Sequence, residues 1–131
     1  MKTYLFDTDV LIDFFKRKKE AVALIEKLST EGDLAISVIS TTELRTGWDT
    51  GQAKIHMPNL YAVFQSVFVD DEIAEKAGEF RKNHSKKGKT ISTTDALIAA
   101  TAVVNNYTLV TRNVKDFPRQ ELSIYPNPYE Q

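Results

Sequence analysis

Short apolar runs alternate with longer segments of helical periodicity along this chain, and this alternation limits the fold more than any other feature. The runs predicted as strands are Thr3–Phe6, Leu34–Val38, Val67–Val69 and Thr108–Thr111, with Leu122–Tyr125 as a candidate fifth. The segments predicted as helices are Glu20–Leu28, Thr41–Trp48 with the segment that follows it, Leu60–Phe64, Ile73–Phe80 and Ala96–Val104. Strands that alternate with helices form parallel sheets covered on both faces, so we predict an α/β fold of three layers, with a central parallel sheet flanked by helices.

Length and composition agree with one compact domain. The chain has 131 residues, near the commonest domain size, and its 42% of hydrophobic residues suffices for a sizeable core. We therefore expect a single domain over residues 1–131. The sequence has no cysteine, which excludes disulfides and thiolate metal sites. With no leader peptide and no apolar run long enough to cross a bilayer, we expect a cytoplasmic protein.

The formal net charge is −1, so contact with nucleic acid would require local positive surface. Two basic runs are candidates, Lys16–Lys19 and Arg81–Lys89. Each is explained equally well as a solvated helix end or loop and as a patch that contacts phosphates.

Asp7 stands directly after the predicted strand Thr3–Phe6. In parallel sheets, ligands bind beyond the carboxyl ends of the strands, so this position favours a functional role. Aspartate is also a common N-cap, but Asp9 is better placed to cap a helix that begins near Val10. We therefore take Asp7 as a candidate functional residue and expect Asp13 to be an exposed helix residue.

Two further acids stand at predicted helix starts in a repeated pattern. Ser40 and Glu43 have the spacing of a capping box, in which the serine and the acid each bind backbone of the first turn, and Ser92 and Asp95 repeat it. Each acid therefore either caps its helix or faces a cleft at the sheet edge. Its position alone leaves both interpretations open.

Together these acids predict a metal site. Asp7, Glu43 and Asp95 occupy one strand end and two helix starts on the same edge of the predicted sheet, and Asn113 and Asp116 follow another strand there. Carboxylates packed closely must take up a proton or be neutralised by a cation, and hard oxygen ligands suit Mg²⁺ or Mn²⁺. Such a site can activate water to attack a phosphodiester.

Four motifs carry a resemblance to a known family. "LFDTDVLID", "ISTTELRTG", "TTDALIAATA" and "LVTRNVKDF", in this order and spacing, resemble the PIN domain and, more narrowly, the VapC-like toxins of bacterial and archaeal toxin–antitoxin pairs. The resemblance covers nearly the whole chain. No single motif is specific, whereas four in order are.

The resemblance implies an Mg²⁺- or Mn²⁺-dependent ribonuclease. The family's acidic positions match Asp7, Glu43 and Asp95, with a fourth position within Asn113–Asp116. We assign Asp7 and Asp95 as direct or water-mediated metal ligands, and Glu43 as a further ligand or as the residue that positions the attacking water. Asn113 and Asp116 would orient water or the leaving group. The resemblance also implies a homodimer and an antitoxin that inserts a segment near the acids and carries the DNA-binding part.

The sequence departs from the family at two positions. Asp9 stands where relatives commonly have serine or asparagine, and Asn113 stands where they often have a fourth aspartate. We therefore expect one metal ion and treat a second as optional. For RNA contact, Arg45 would grip a phosphate or pair with an acid, although an exposed helix arginine explains it equally well. The further candidate RNA contacts are Arg17, Lys18, Lys86 and Lys87.

Two alternatives to a nuclease follow from the same residues. "LFDTDV" resembles the Asp-x-Asp opening of haloacid dehalogenase-type phosphatases, in which the first aspartate is a covalent nucleophile. The other alternative is a catalytically silent PIN-like interaction domain. The RNA target and the identity of the antitoxin cannot be read from the sequence.

Overall fold

The computed structural model describes residues 2–118, 121–126 and 128–129. The strands are β1 (Lys2–Phe6), β2 (Gly32–Ser37), β3 (Gln65–Val67) and β4 (Thr108–Val110). The helices are α1 (Thr8–Phe15), α2 (Lys19–Ser29), α3 (Val38–Gly47), α4 (Thr50–Val63), α5 (Asp71–Lys86) and α6 (Thr93–Asn105), and a 3-10 turn spans Val114–Asp116.

The four strands form one sheet in the order β3-β2-β1-β4, and every pair is parallel. Tyr4 of β1 lies opposite Leu34 of β2 on one side and Thr108 of β4 on the other. The carboxyl ends of β1, β2 and β4 therefore meet at one edge, and the chain leaves that edge at Asp7, Val38 and Thr111. The predicted α/β fold with a parallel sheet is confirmed.

Two apolar cores lie on opposite faces of the sheet. Successive side chains of a strand point to opposite faces, so Leu5 packs in one core and its neighbours Tyr4 and Phe6 pack in the other. The Leu5 core includes α5 and α6, and the Tyr4 core includes α1 and α2. As the sequence predicts, α6 is buried almost all round, with residues Ala96 and Ile98–Ala102 inaccessible.

Three element boundaries differ from the prediction. The helical segment predicted after Trp48 and the predicted helix Leu60–Phe64 form one helix, α4, which begins at the reciprocal capping box of Asp49 and Gln52 and continues through Pro58. Helix α3 begins earlier than predicted, at Val38. The predicted fifth strand Leu122–Tyr125 forms only an isolated bridge between Ile124 and Leu109.

The basic run Arg81–Lys89 begins within α5, which extends to Lys86, so most of it is helical. Within the described ranges, no helix is both long enough and apolar enough to cross a bilayer.

Candidate active site

Asp7 joins β1 to α1 and forms hydrogen bonds with β4, with the first residue of α1 and with Thr111 after β4. Its backbone N–H donates to the carbonyl oxygen of Val110 in β4 (2.9 Å). Its Oδ1 accepts from the Thr8 N–H and its Oδ2 from the Thr111 hydroxyl, both at 2.8 Å. Asp7 is thus the N-cap of α1. The expectation that Asp9 caps this helix is wrong. Only one residue, Asp7, separates the end of β1 at Phe6 from the start of α1 at Thr8, so Asp7 takes the cap position.

The pKa of the Asp7 carboxyl is raised to about 7. Burial is the largest cause, since the residue is only 5% exposed, and the negative charges of Asp9 and Asp95 act in the same direction. The hydrogen bonds from Thr111 and Thr8 oppose the shift. Asp7 forms no ion pair with any residue the structure describes. A buried carboxylate of this kind takes up a proton near neutral pH unless a cation binds.

Glu43 is tied to the start of α1 through Thr8. The Thr8 hydroxyl donates to Glu43 Oε1 (2.5 Å) and lies 2.9 Å from the Ser40 hydroxyl oxygen. The predicted capping box of Ser40 and Glu43 is wrong, because Ser37 caps α3 and accepts from the Ile39 N–H. Ser40 is instead buried inside the helix, and Glu43 lies in its second turn, exposed and next to the Asp7–Thr8 corner.

Asp95 lies in the first turn of α6, whose N-cap is Ser92 as predicted. The Ser92 hydroxyl oxygen accepts from the Asp95 N–H (3.1 Å). Asp95 is half-buried, and its charge acts on Asp7. Its carboxylate accepts no hydrogen bond from the described part of the chain, so it is available to a ligand.

Asp9 is held by the loop after β4, which also binds Asp7. Its Oδ2 accepts from the Arg112 N–H (3.1 Å) and its Oδ1 from the Val10 N–H (2.7 Å). Burial raises the pKa of Asp9, against these hydrogen bonds and the Arg112 charge. Asp9 therefore adds negative charge beside Asp7 while its own oxygens are engaged by backbone.

Asp13 is buried, and the expectation that it is an exposed helix residue is wrong. Its Oδ2 accepts from the Tyr129 hydroxyl (2.6 Å) and lies 3.1 Å from Arg112 Nε, while its Oδ1 lies 3.4 Å from Lys18 Nζ. Burial alone would raise the pKa of Asp13, but these three partners outweigh it and the pKa is lowered. Helical periodicity could not reveal this, because Tyr129 and Arg112 come from the far end of the chain.

The loop after β4 reaches Asp7 through Thr111. The Asn113 N–H donates to the Thr111 hydroxyl oxygen (3.0 Å), which fixes the hydroxyl that binds Asp7. Asp116 lies in the 3-10 turn beyond Asn113 and lines a cavity with Lys115, with no hydrogen bond to Asp7 among the residues described. The catalytic roles assigned to Asn113 and Asp116 stay predictions.

The candidate RNA contacts lie on three separate segments of the chain. Arg45 Nη1 donates to the Trp48 carbonyl oxygen (2.8 Å) at the end of α3, and Lys18 pairs with Asp13. Arg17 is exposed in the turn between α1 and α2, and Lys86 and Lys87 are exposed at the end of α5.

The acids fit a hard divalent cation without forming a preformed cage. Among the residues described, no three acids or histidines converge closely enough to hold an ion by themselves. Mg²⁺ needs only one or two carboxylates because it keeps several of its waters. Asp7 can meet this need, since its buried carboxylate forms no ion pair within the described ranges and lies within electrostatic range of Asp95. The donor set therefore suits Mg²⁺ or Mn²⁺.

Sequence reasoning missed several residues that organise this site. Thr8 and Thr111 stand beside candidate residues in the motifs, so their position was a usable signal. Arg112 also lies in a motif, but nothing in the sequence indicates that it pairs with Asp13. No sequence signal points to Tyr129.

Comparison with known proteins identifies similar chains. The profile of the PIN domain family matches residues 4–121. Ribonuclease VapC1 of Methanocaldococcus jannaschii is 34% identical over 115 residues, 88% of this chain and 79% of that protein. Ribonuclease VapC10 of Mycobacterium tuberculosis is 36% identical over 117 residues, 89% of this chain and 87% of that protein.

Solved structures of toxin–antitoxin complexes contain the same fold. VapBC2 of Rickettsia felis, bound to a DNA fragment from its promoter, contains a chain with a TM-score of 0.84 and 26% identity, over 94% of this chain and 97% of that one. A toxin–antitoxin complex of Klebsiella pneumoniae contains one with a TM-score of 0.78 and 29% identity, over 98% and 99%.

Proposed function

This chain belongs to the PIN domain family, and from that premise we propose that it is a metal-dependent endoribonuclease and the toxin of a toxin–antitoxin pair. The observation that carries the proposal is the buried Asp7 carboxylate, which is joined to Glu43 through Thr8 and lies within electrostatic range of Asp95. Family membership removes the dehalogenase-type phosphatase as an alternative. A catalytically silent PIN-like domain is tested by the experiment below.

Asp7 and Asp95 would hold one Mg²⁺ or Mn²⁺ ion, with Glu43 as a further ligand or a water-positioning residue. A second ion is optional, since Asn113 contributes a neutral amide where a further carboxylate would strengthen a second site. When bound, the ion would lower the pKa of a coordinated water and offset charge that develops on the phosphate.

The chain's own residues supply orientation and a proton acceptor. The Thr8 N–H and the Thr111 hydroxyl fix both oxygens of Asp7, so this carboxylate is preorganised. Thr8 also holds the exposed Glu43 side chain, which can orient an attacking water and accept its proton. The N-terminus of α6 carries partial positive charge that favours a phosphate group. Asn113 and Asp116 would then act on water or on the leaving oxygen.

An antitoxin protein is the proposed partner, because the similar structures are VapBC and other toxin–antitoxin complexes. We further propose that the chain forms a homodimer and meets DNA only through its antitoxin. An RNA substrate and the absence of cysteine agree with a cytoplasmic location.

The test measures cleavage of RNA by the purified chain, first in EDTA and then with added Mn²⁺ or Mg²⁺. We expect cleavage only with the metal, and a loss of roughly a hundredfold or more in Asp7→Asn and Asp95→Asn. Asp33→Asn is the matched control, since Asp33 is exposed in β2 toward the opposite edge of the sheet. Cleavage by Asp7→Asn at the wild-type rate would refute metal-dependent hydrolysis at this site.

A further inference from the structure

A cavity of about 610 Å³ opens between the end of α5 and the 3-10 turn that follows β4. Its described lining includes three lysines from two parts of the chain, Lys87 and Lys89 after α5 and Lys115 in the 3-10 turn. Its apolar lining includes Phe80 and Phe117, which are both buried, and Pro118. The cavity therefore combines an apolar floor with a positively charged rim.

The charge balance of this lysine cavity favours an anion. Two acids, Asp116 and Glu121, also line it. Glu121 Oε2 lies 2.6 Å from Lys76 Nζ, so its charge is already compensated. Lys87 can also interact with the exposed carbonyl groups at the end of α5. That role does not explain Lys89 and Lys115, which lie outside the helix and line the same cavity.

Two short chain segments connect lysines of this cavity to residues of the candidate active site. Lys115 follows Thr111 by four residues, and the Thr111 hydroxyl binds Asp7. Four residues span at most about 14 Å, so the Lys115 backbone lies close to that edge of the sheet. On the other side, Lys89 leads within six residues to Asp95 at the start of α6.

We propose that the lysine cavity binds a nucleotide of single-stranded RNA next to the phosphodiester that is cleaved. This inference rests on the proposed function and adds a substrate subsite to it. The three lysines contact backbone phosphates at and beside this nucleotide, and the apolar floor receives the sugar or base. The volume lies within the range of pockets that hold small organic ligands, roughly 300–1,000 Å³.

RNA explains the cavity better than an acidic peptide does. The 3-10 turn that forms one wall of the cavity begins three residues after Thr111, which binds Asp7, so it follows the candidate active site closely in the chain. Phosphates repeat along an RNA strand, so the next ones require positive charge beyond the acidic site. The formal net charge of −1 means that such charge must be local.

The experiment measures binding of a labelled single-stranded RNA of about ten nucleotides by fluorescence anisotropy in EDTA, where cleavage cannot occur. The variant is K87Q/K89Q/K115Q. The control is K2Q/K27Q/K54Q, which removes the same charge from exposed lysines outside the cavity. We expect K87Q/K89Q/K115Q to bind the RNA about tenfold or more weakly than the wild type. The plot of log affinity against log salt concentration should become shallower by about two units, because each phosphate that a lysine no longer neutralises reduces its slope by about 0.7. The control should stay within about twofold of wild type.

The outcomes separate this inference from the proposed function. If both triple variants lose RNA affinity equally, the cavity is not a subsite. The proposal is also overturned if K87Q/K89Q/K115Q binds RNA with wild-type affinity and loses only the binding of an acidic peptide. Wild-type protein that binds RNA through the cavity but does not cleave it with Mn²⁺ would support the inference and refute the proposed activity. If the triple variant is not folded, the single variants Lys89→Gln and Lys115→Gln give the same comparison with Lys54→Gln.

Discussion

The Thr111 hydroxyl donates a 2.8 Å hydrogen bond to Oδ2 of Asp7, and both residues are buried. This bond joins the carboxyl ends of β4 and β1, which are neighbouring parallel strands. It lowers the pKa of a carboxyl that burial raises. Thr111 therefore helps Asp7 stay ionised, which a metal ligand requires.

Thr111→Val should reduce metal-dependent cleavage about tenfold, because a hydrogen bond to a charged group contributes about 1.5–3 kcal/mol. Without this bond the pKa of Asp7 rises further, so the acidic limb of the pH–rate profile should move to higher pH. The control is Thr101→Val, which removes a buried hydroxyl bound to the Leu97 carbonyl oxygen within α6. An unchanged rate and pH profile in Thr111→Val would show that the bond does not serve Asp7.

Asp7→Asn should stabilise the metal-free protein at pH 8 while abolishing cleavage. The folded pKa of about 7 lies above the unfolded value of 3.8, so the native state binds more protons between these values. The free energy of unfolding of the wild type therefore falls as pH rises from about 4 to about 7. Asparagine removes this cost and still suits the N-cap, and we expect a gain of about 2 kcal/mol.

Urea denaturation in EDTA at pH 5 and pH 8 measures this difference. We expect the variant's advantage to be large at pH 8 and small at pH 5. Added Mn²⁺ should raise the melting temperature of the wild type but not that of Asp7→Asn. A destabilised Asp7→Asn at pH 8 would contradict the raised pKa.

Asp13→Asn should have the opposite effect on stability. The pKa of Asp13 is lowered by Tyr129, Arg112 and Lys18 against its burial, so its charge stabilises the fold above the unfolded pKa of 3.8. This contribution is lost as pH falls through the lowered folded pKa. At pH 8 we expect a loss of about 2 kcal/mol, because Arg112 loses a buried partner. A stability equal to the wild type at pH 8 would show that the Asp13 contacts contribute nothing.

Thr8→Val should lower cleavage about tenfold by releasing Glu43 from its 2.5 Å contact with the Thr8 hydroxyl. If Thr8 acts through Glu43, the double variant Thr8→Val, Glu43→Gln should cleave no more slowly than Glu43→Gln alone. Thr42→Val is the control, since the Thr42 hydroxyl binds only the Val38 carbonyl oxygen among the described residues and is exposed on α3. If the losses of cleavage rate add in the double variant, Thr8 acts independently of Glu43.

The periodic segments of this sequence were predictable because their burial follows local spacing. The strands at Lys2–Phe6 and Gly32–Ser37 and the buried helix Thr93–Asn105 lie close to their predicted bounds. The continuity of α4 was not predicted, because the helix continues through Pro58 and a proline usually ends a helix.

The sequence alone determined the parallel α/β fold and the identity of the candidate acids, because the strand–helix alternation and the four motifs are local in the chain. Only the tertiary structure decided which residues each acid contacts. Asp13 pairs with Tyr129 and Arg112, Asp7 caps α1, and Glu43 is bound by Thr8. These contacts join residues far apart in the chain or depend on the exact residue at which a helix begins, and neither is encoded in the spacing of apolar residues.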